Sequence, residues 1–472
     1  MTSPFDLPLQ RAHEAALSWI DRFDSTPVAA QASIASLRAS LDLPLQDDGL
    51  DPVQVVDELI AAAEPGLTVT GGGRFHGWVI GGALPAALAA DWLTSVWDQN
   101  AAALPASPSA AIVEEVAGAW LMDLLNIPQT ASFTFCTGSQ VGHVIALAAA
   151  RHAVLDRVGW DVGVHGLYGA PPIRILTTEL RHVSVDRAIR VLGFGSNSVD
   201  GIPVDEHGSV RPDALAAALA ASDNPVILCL QAGELSTGVY DRFDELIDIA
   251  HRHHAWVHID GAFGLWAAAS PTYRHLMAGA EKADSWITDG HKWLNVPYDS
   301  GFCFVADPDA HRAAMAFAAS YINPQTEARD PRDWNLEFSR RARGFATYAA
   351  IRQLGRTGIA DLVDRFCHMA RQLALGIGDL PGAELLAEPI INQGAVRFLD
   401  PRPNATDADH SAFTQKVIAN ILASGEALFG GVSLNGRHVM RVSVSSWQTT
   451  EADVQRTIKA VQEAINNTIA SL

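Results

Sequence analysis

Between about residues 130 and 305 the chain repeats one pattern: a short apolar run, then a longer stretch with helical periodicity. The runs at 173–177, 226–230, 256–259, 286–288 and 302–305 are rich in Ile, Val, Leu, Phe and Trp. Short continuous runs of this kind suit strands buried on both faces. Helical patterns fall between several of them, at 211–221 and 243–253. The alternation predicts an α/β fold in which helices cover both faces of a mainly parallel sheet. Ligands of such sheets bind beyond the carboxyl ends of the strands.

The flanks read differently. The first 70 residues alternate helical patterns with Pro-rich breaks; one predicted helix has Asp51 as its cap and Pro52 in its first turn. Gly71-Gly-Gly73 reads as a flexible joint. Helical periodicity dominates from about 345 to 380, strand-like pieces follow at 394–398 and 439–444, and a last helix starts near Thr450. The expected organisation is an N-terminal helical segment (1–73), a large domain (74–345) and a smaller C-terminal α+β domain (346–472).

Composition narrows the function. At 48% hydrophobic and 18% charged residues the chain is globular. A net charge of −20 argues against nucleic acid as a partner, since phosphate binding needs concentrated Lys and Arg. The four cysteines are far apart, and Cys229 and Cys303 sit inside apolar runs. Buried free thiols in a reducing compartment are expected. The start of the sequence lacks a basic, then apolar, leader, and the longest uncharged apolar run, 77–90, is too short for a bilayer. A cytoplasmic protein without membrane contact is expected.

Several residues stand where a ligand would bind. Asp260 ends one strand-like run, and Lys292 follows another in Thr288-Asp-Gly-His-Lys-Trp-Leu294. Pyridoxal phosphate needs a lysine amine for its aldehyde and a carboxylate for its ring nitrogen. An apolar neighbourhood (Trp286, Trp293, Leu294, Val296) would lower the lysine pKa and free its amine. Small Ala262 leaves room for a flat ring. Cys136-Thr-Gly-Ser-Gln140 joins a strand-like run to a helical one, so Gly138, Ser139 and Gln140 would form a phosphate turn at a helix N-terminus. His182 follows another run and could stack on a ring or simply cap a helix. Asp260 could likewise cap the next helix, and Lys292 alone could be a surface lysine. His251, His253, His254 and His258 lack a completing cluster of Cys or carboxylates, so no metal site is expected.

Together these segments resemble the group II pyridoxal-phosphate decarboxylases, the aromatic-L-amino-acid decarboxylase family. The resemblance runs from about residue 70 to the end of the sequence. It rests on Arg74-Phe-His-Gly-Trp78, Leu147-Ala-Ala-Ala-Arg151, His182-Val-Ser-Val-Asp-Arg-Ala188, His258-Ile-Asp-Gly-Ala262 and His291-Lys-Trp-Leu294. It implies the aspartate-aminotransferase-like fold (fold type I), with a seven-stranded sheet in the large domain, and a homodimer with shared active sites. It also implies roles. Lys292 would carry pyridoxal 5'-phosphate as a Schiff base. Asp260 would pair with the ring nitrogen, with Ala262 beneath the ring and His182 stacked on it. Gly138, Ser139, Gln140, Asp289 and His291 would complete the cofactor site, and Trp78 would lie on the substrate side. The implied activity is decarboxylation of an L-amino acid to an amine. Three departures from the family pattern matter. Gln140 stands where Ser or Thr is more usual. Glu234 replaces a threonine that supports the aspartate, and there it would add a carboxylate near Asp260 or meet a substrate amine. Pro331 stands where aromatic decarboxylases carry a tyrosine associated with protonating the carbanion, so either another acid, with His182 a candidate, would protonate it or a different outcome becomes possible; that loop, near 323–334, would correspond to the family's mobile catalytic loop. These departures keep open an aldehyde synthase or a C–C or C–S lyase on the same fold.

Overall fold

The computed structural model describes residues 3–317 and 329–472. The expected loop near 323–334 therefore lies partly outside the described residues, and Asn323 is among those not described. In chain order the strands are β1 (Phe75–His76), β2 (Ser132–Cys136), β3 (Arg174–Thr177), β4 (Val199–Gly201), β5 (Val226–Gln231), β6 (Trp256–Asp260), β7 (Ser285–Asp289), β8 (Gly301–Val305), β9 (Ala383–Ala387), β10 (Gln393–Phe398), β11 (Leu428–Leu434) and β12 (Arg437–Ser443). The chain divides into two units, one of residues 1–80, 369–388 and 394–472, the other of 81–368 and 389–393. The boundaries expected from the sequence lie at 73/74 and 345/346.

The larger unit holds a seven-stranded sheet in the order β2-β8-β7-β6-β5-β3-β4. All neighbouring pairs from β7 to β4 are parallel, while β8 runs antiparallel to both β7 and β2. The carboxyl ends of β2, β6 and β7 consequently share one edge. The predicted strands carry this sheet because they are buried throughout: Ile227, Leu228, Cys229 and Leu230 are at most 2% exposed. Each such side chain contributes roughly 1.5–3 kcal/mol on burial. The helix Ser139–Asp156 packs Val144, Ile145 and Leu147 into the same core as Ile175, Ile227, Trp256 and Ile287. All four cysteines are buried and free.

The smaller unit has a five-stranded sheet, order β1-β11-β12-β10-β9. Its β11–β12 hairpin turns at Asn435-Gly436, both with positive φ (51° and 76°), the backbone that a tight Asn-Gly turn needs. Helices Asp407–Ser424 and Glu451–Ala470 begin with reciprocal capping boxes, Thr406 with Asp409 and Thr450 with Asp453. Asp51 caps the helix Pro52–Ala63 as expected. The triple glycine is not a flexible joint. Ser446 Oγ donates to the Gly71 carbonyl (3.2 Å) and Thr449 Oγ1 to that of Gly73 (3.0 Å). Gly73 is needed because a Cβ there would collide with the Asp453 carboxylate that caps the last helix. Among the described residues no helix is long and apolar enough to cross a membrane.

Candidate active site

Three strand ends bring the site together. β7 ends at Asp289, and the chain turns at once into Gly290-His291-Lys292. Lys292 Nζ lies 2.9 Å from Asp289 Oδ2. The apolar neighbours expected from sequence are present, with Trp293 and Leu294 each 1% exposed. They are only half of the lysine's environment, because the amine itself rests on a carboxylate. The turn is tight: Gly81 donates its N–H to the His291 carbonyl (3.2 Å), and Gly82 and Leu84 donate to Asn295 Oδ1 (2.9 Å) and O (2.8 Å). A Cβ on Gly81 would fall 2.1 Å from the Lys292 carbonyl oxygen, so only glycine fits.

β2 ends at Cys136, and Thr137-Gly138 leads into the helix that begins at Ser139. The Ser139 N–H donates to Asp289 Oδ1 at 2.6 Å, joining the two strand ends. The Ser139 hydroxyl is buried and has no hydrogen-bond partner among the described residues. Gly138 is packed against the backbone of Gly301 at the start of β8, where a Cβ would stand 2.4 Å from the Gly138 Cα. Gln140 Nε2 donates to the Ser184 carbonyl (3.2 Å), tying the turn to the helix Val183–Val191.

Of the two roles considered for His182, the helix cap is present. It caps the helix Val183–Val191, its Nδ1 accepting from the Ser184 N–H at 3.3 Å, and it also lines the cavity. Asp260 ends β6; its Oδ1 accepts from the Ala262 N–H at 3.2 Å. Burial alone would raise the Asp260 pKa, but His143, His182 and Lys292 outweigh it and hold the carboxyl well below the usual range. Asp289 is held low in the same way, its burial outweighed by Lys292 and His291. Burial lowers the His291 pKa. His291 Nδ1 accepts from the Ser300 N–H at 3.2 Å, which assigns the proton of the neutral ring to Nε2. Its ring stacks on Tyr298, centroids 4.3 Å apart.

These residues surround one cavity of about 440 Å³. Gly138, Ser139, Gln140, His182, Asp260, Ala262, Asp289, His291 and Lys292 all line it. Two expected residues do not. The Glu234 carboxylate is turned into its own loop, where Oε2 accepts from the N–H groups of Ser236 and Thr237 (both 2.8 Å) and from Thr237 Oγ1 (2.9 Å). Trp78 is 61% exposed and stacks on Phe75 in the smaller unit. Sequence reasoning missed His143, Arg187, Tyr298 and the spacer Gly301. His143 was within reach, since it follows Ser139 by four positions and so shares its helix face. Tyr298 and Arg187 carry no local signal, because only the folded turn and helix bring them to the cavity.

The family model for the pyridoxal-dependent decarboxylase conserved domain matches residues 35–399. The chain belongs to the pyridoxal-dependent decarboxylase family. An aromatic-L-amino-acid decarboxylase of Bacillus atrophaeus is 25% identical over 97% of this chain and 95% of its own length. An L-2,4-diaminobutyrate decarboxylase of Rhizobium meliloti is 29% identical over 88% and 84%. A 4-hydroxyphenylacetaldehyde synthase of Rhodiola rosea is 25% identical over 86% and 84%. In fold, the chain is similar to Oryza sativa TDC solved with PLP and tryptamine, with a TM-score of 0.90, 23% identity and 98% of each chain covered. Pyridoxal-dependent decarboxylases of this kind have fold type I and pyridoxal 5'-phosphate as cofactor, and both hold for this enzyme. The residues present fit that cofactor. An unpartnered Ser139 hydroxyl sits at the first turn of a long helix, where backbone N–H groups favour an anion. A carboxylate kept ionised at Asp260 suits a protonated ring nitrogen, and the Lys292 amine opens on the same cavity.

Proposed function

We propose that the protein removes the α-carboxylate of an L-amino acid as CO₂ and releases the corresponding amine. The observation that carries this reading is the convergence of Lys292, Asp260 and the Ser139 turn on one cavity of about 440 Å³. When bound, pyridoxal 5'-phosphate supplies a conjugated ring that accepts the electron pair left as the Cα–carboxylate bond breaks. The protein does the rest. The Lys292 amine anchors the aldehyde, and Asp289 holds that amine against the phosphate turn before the cofactor arrives. Ser139, the first turn of its helix and the His291 Nε2–H take the phosphate. Asp260 holds a proton on the ring nitrogen. His182 and Ala262, which both line the cavity, would bound the ring and limit water beside the reacting carbon.

The test is a screen of the common L-amino acids on the purified, cofactor-loaded enzyme, following CO₂, amine, ammonia, aldehyde and hydrogen peroxide together. Equal amounts of CO₂ and amine from one amino acid, absent in Lys292→Ala, support the proposal. No CO₂ from any amino acid would overturn it.

A second reading is oxidative: amino acid, O₂ and water giving aldehyde, CO₂, ammonia and hydrogen peroxide. Pro331 favours it, because the family resemblance would set it at the place of a protonating tyrosine, and proline offers no proton. The similarity to the Rhodiola rosea aldehyde synthase agrees with it. Stoichiometric ammonia and peroxide in the same screen would select this reading. We also infer a cytoplasmic homodimer in which both copies complete each site. Sedimentation of a monomer with full activity would refute the shared site.

A further inference from the structure

We propose that His143 is a positioning residue for the cofactor's ring nitrogen: at the end of a buried chain, Trp256–Ser285–His258–His143, it presents an N–H to the far oxygen of Asp260. The inference rests on the assignment of Asp260 to that nitrogen. It deepens the assignment by naming what keeps Asp260 charged.

The chain is continuous and closed to water. Trp256 Nε1 donates to Ser285 Oγ at 2.9 Å, Ser285 Oγ lies 3.0 Å from His258 Nδ1, and His258 Nε2 lies 2.9 Å from His143 Nδ1. His143 Nε2 then stands 3.4 Å from Asp260 Oδ2, with no closer hydrogen-bond partner among the described residues. His143, His258 and Ser285 are 0% exposed and Trp256 is 1%.

Donor and acceptor chemistry gives the chain a direction. An indole N–H only donates and a carboxylate only accepts. With Ser285 accepting from Trp256, its own proton can go to His258 Nδ1. The neutral His258 then carries its proton on Nε2 and donates to His143 Nδ1. That leaves the proton of a neutral His143 on Nε2, facing Asp260. In the reverse order a neutral His143 would turn a bare lone pair toward a buried carboxylate, which is repulsive. Escaping that repulsion requires a second proton on His143, again at Nε2. Every acceptable state therefore puts an N–H against Asp260. Burial pushes the His258 pKa down to about 3, consistent with a neutral relay member.

The other groups around Asp260 serve different purposes. The Ala262 N–H occupies Oδ1, while His182 and Lys292 bring charge from the cavity side. His143, which is fully buried, approaches the other oxygen, Oδ2. A carboxylate stabilised from behind leaves its proton on the ring nitrogen instead of taking it. His143 thus tunes how strongly the ring withdraws electrons, without touching the cofactor.

The test compares the affinity of the cofactor-free protein for pyridoxal 5'-phosphate with that for its 1-deaza analogue, in which a C–H replaces the ring nitrogen. Wild type should prefer pyridoxal phosphate. His143→Leu should lower that preference by about tenfold or more, the equivalent of one pKa unit. His143→Asn, a polar replacement suited to folding if the leucine variant fails, should lose as much because its amide ends short of Nε2. His143→Gln, whose amide reaches that position, should restore much of the preference. Equal weakening toward both ligands in the Leu and Asn variants, or an unchanged ratio, would make His143 merely structural and overturn the proposal. Asp260→Ala serves as the reference. If it leaves the ratio at the wild-type value, the assignment of Asp260 fails and the relay with it. If it abolishes the preference while the His143 variants do not, the relay alone is wrong.

Discussion

Lys292 and Asp289 are joined by a 2.9 Å contact. Lys292→Ala should reduce CO₂ release to background in a steady-state assay and leave no lysine adduct after borohydride reduction. Asp260→Asn keeps the shape but loses the charge, so turnover should fall at least about a hundredfold with the protein still folded by circular dichroism. Glu234 gives the opposite expectation. Its carboxylate terminates three hydrogen bonds inside the 234–237 turn, so Glu234→Ala should cost about 1 kcal/mol in urea unfolding and leave cofactor affinity unchanged. These residues mark how far sequence could see. Lys292, Asp260, His182 and Ser139 were legible because each follows a recognisable strand, and strand ends point to the ligand edge. The direction of the Glu234 side chain was not, because a loop turn sets it and no periodicity reports that turn.

Elements were legible where burial alone specifies them. The five apolar runs became β3 and β5 to β8, since a run buried on both faces is continuous in sequence. The short β1 and β4 were missed, and so were β9 and β11. The β9 sequence, Ala-Glu-Leu-Leu-Ala, consists of helix formers, and β11 carries Gly430 and Gly431; pairing with neighbouring strands overrides both local preferences. The triple glycine misled in the other direction, since glycine marks close packing as readily as freedom. Close packing also yields a prediction at the β2–β8 contact. Gly301→Ala would set a Cβ 2.4 Å from the Gly138 Cα. The expected loss is about 1–3 kcal/mol by urea unfolding. Cofactor affinity should fall too, because the displaced segment is the phosphate turn itself.

Over the whole molecule, buried histidines set the acid response. Burial lowers the pKa of His76 to about 4 and those of His258 and His311 to about 3. Unfolding lets each one bind a proton below its ordinary value, so the unfolded chain gains protons first as pH falls. Stability should therefore decline from about pH 6.5 downward. Asp241 works the other way. Burial raises its pKa to about 6, so its contribution strengthens as pH falls toward its unfolded value. Burial also lowers the pKa values of His291 and His438, while Asp284 raises that of His251; among the described residues the lowered histidines outnumber the raised groups, so net acid destabilisation is the expected outcome. Urea titrations at pH 7 and pH 5 check it, and equal midpoints would contradict it. The turn that carries Lys292 has a different consequence. It is pinned by the amides of Gly81, Gly82 and Leu84, which donate to His291 and Asn295. Those three amides can exchange with deuterium only when the lysine turn comes apart. Their exchange rates would thus serve as a clock for opening of the Lys292 turn, readable without substrate or turnover.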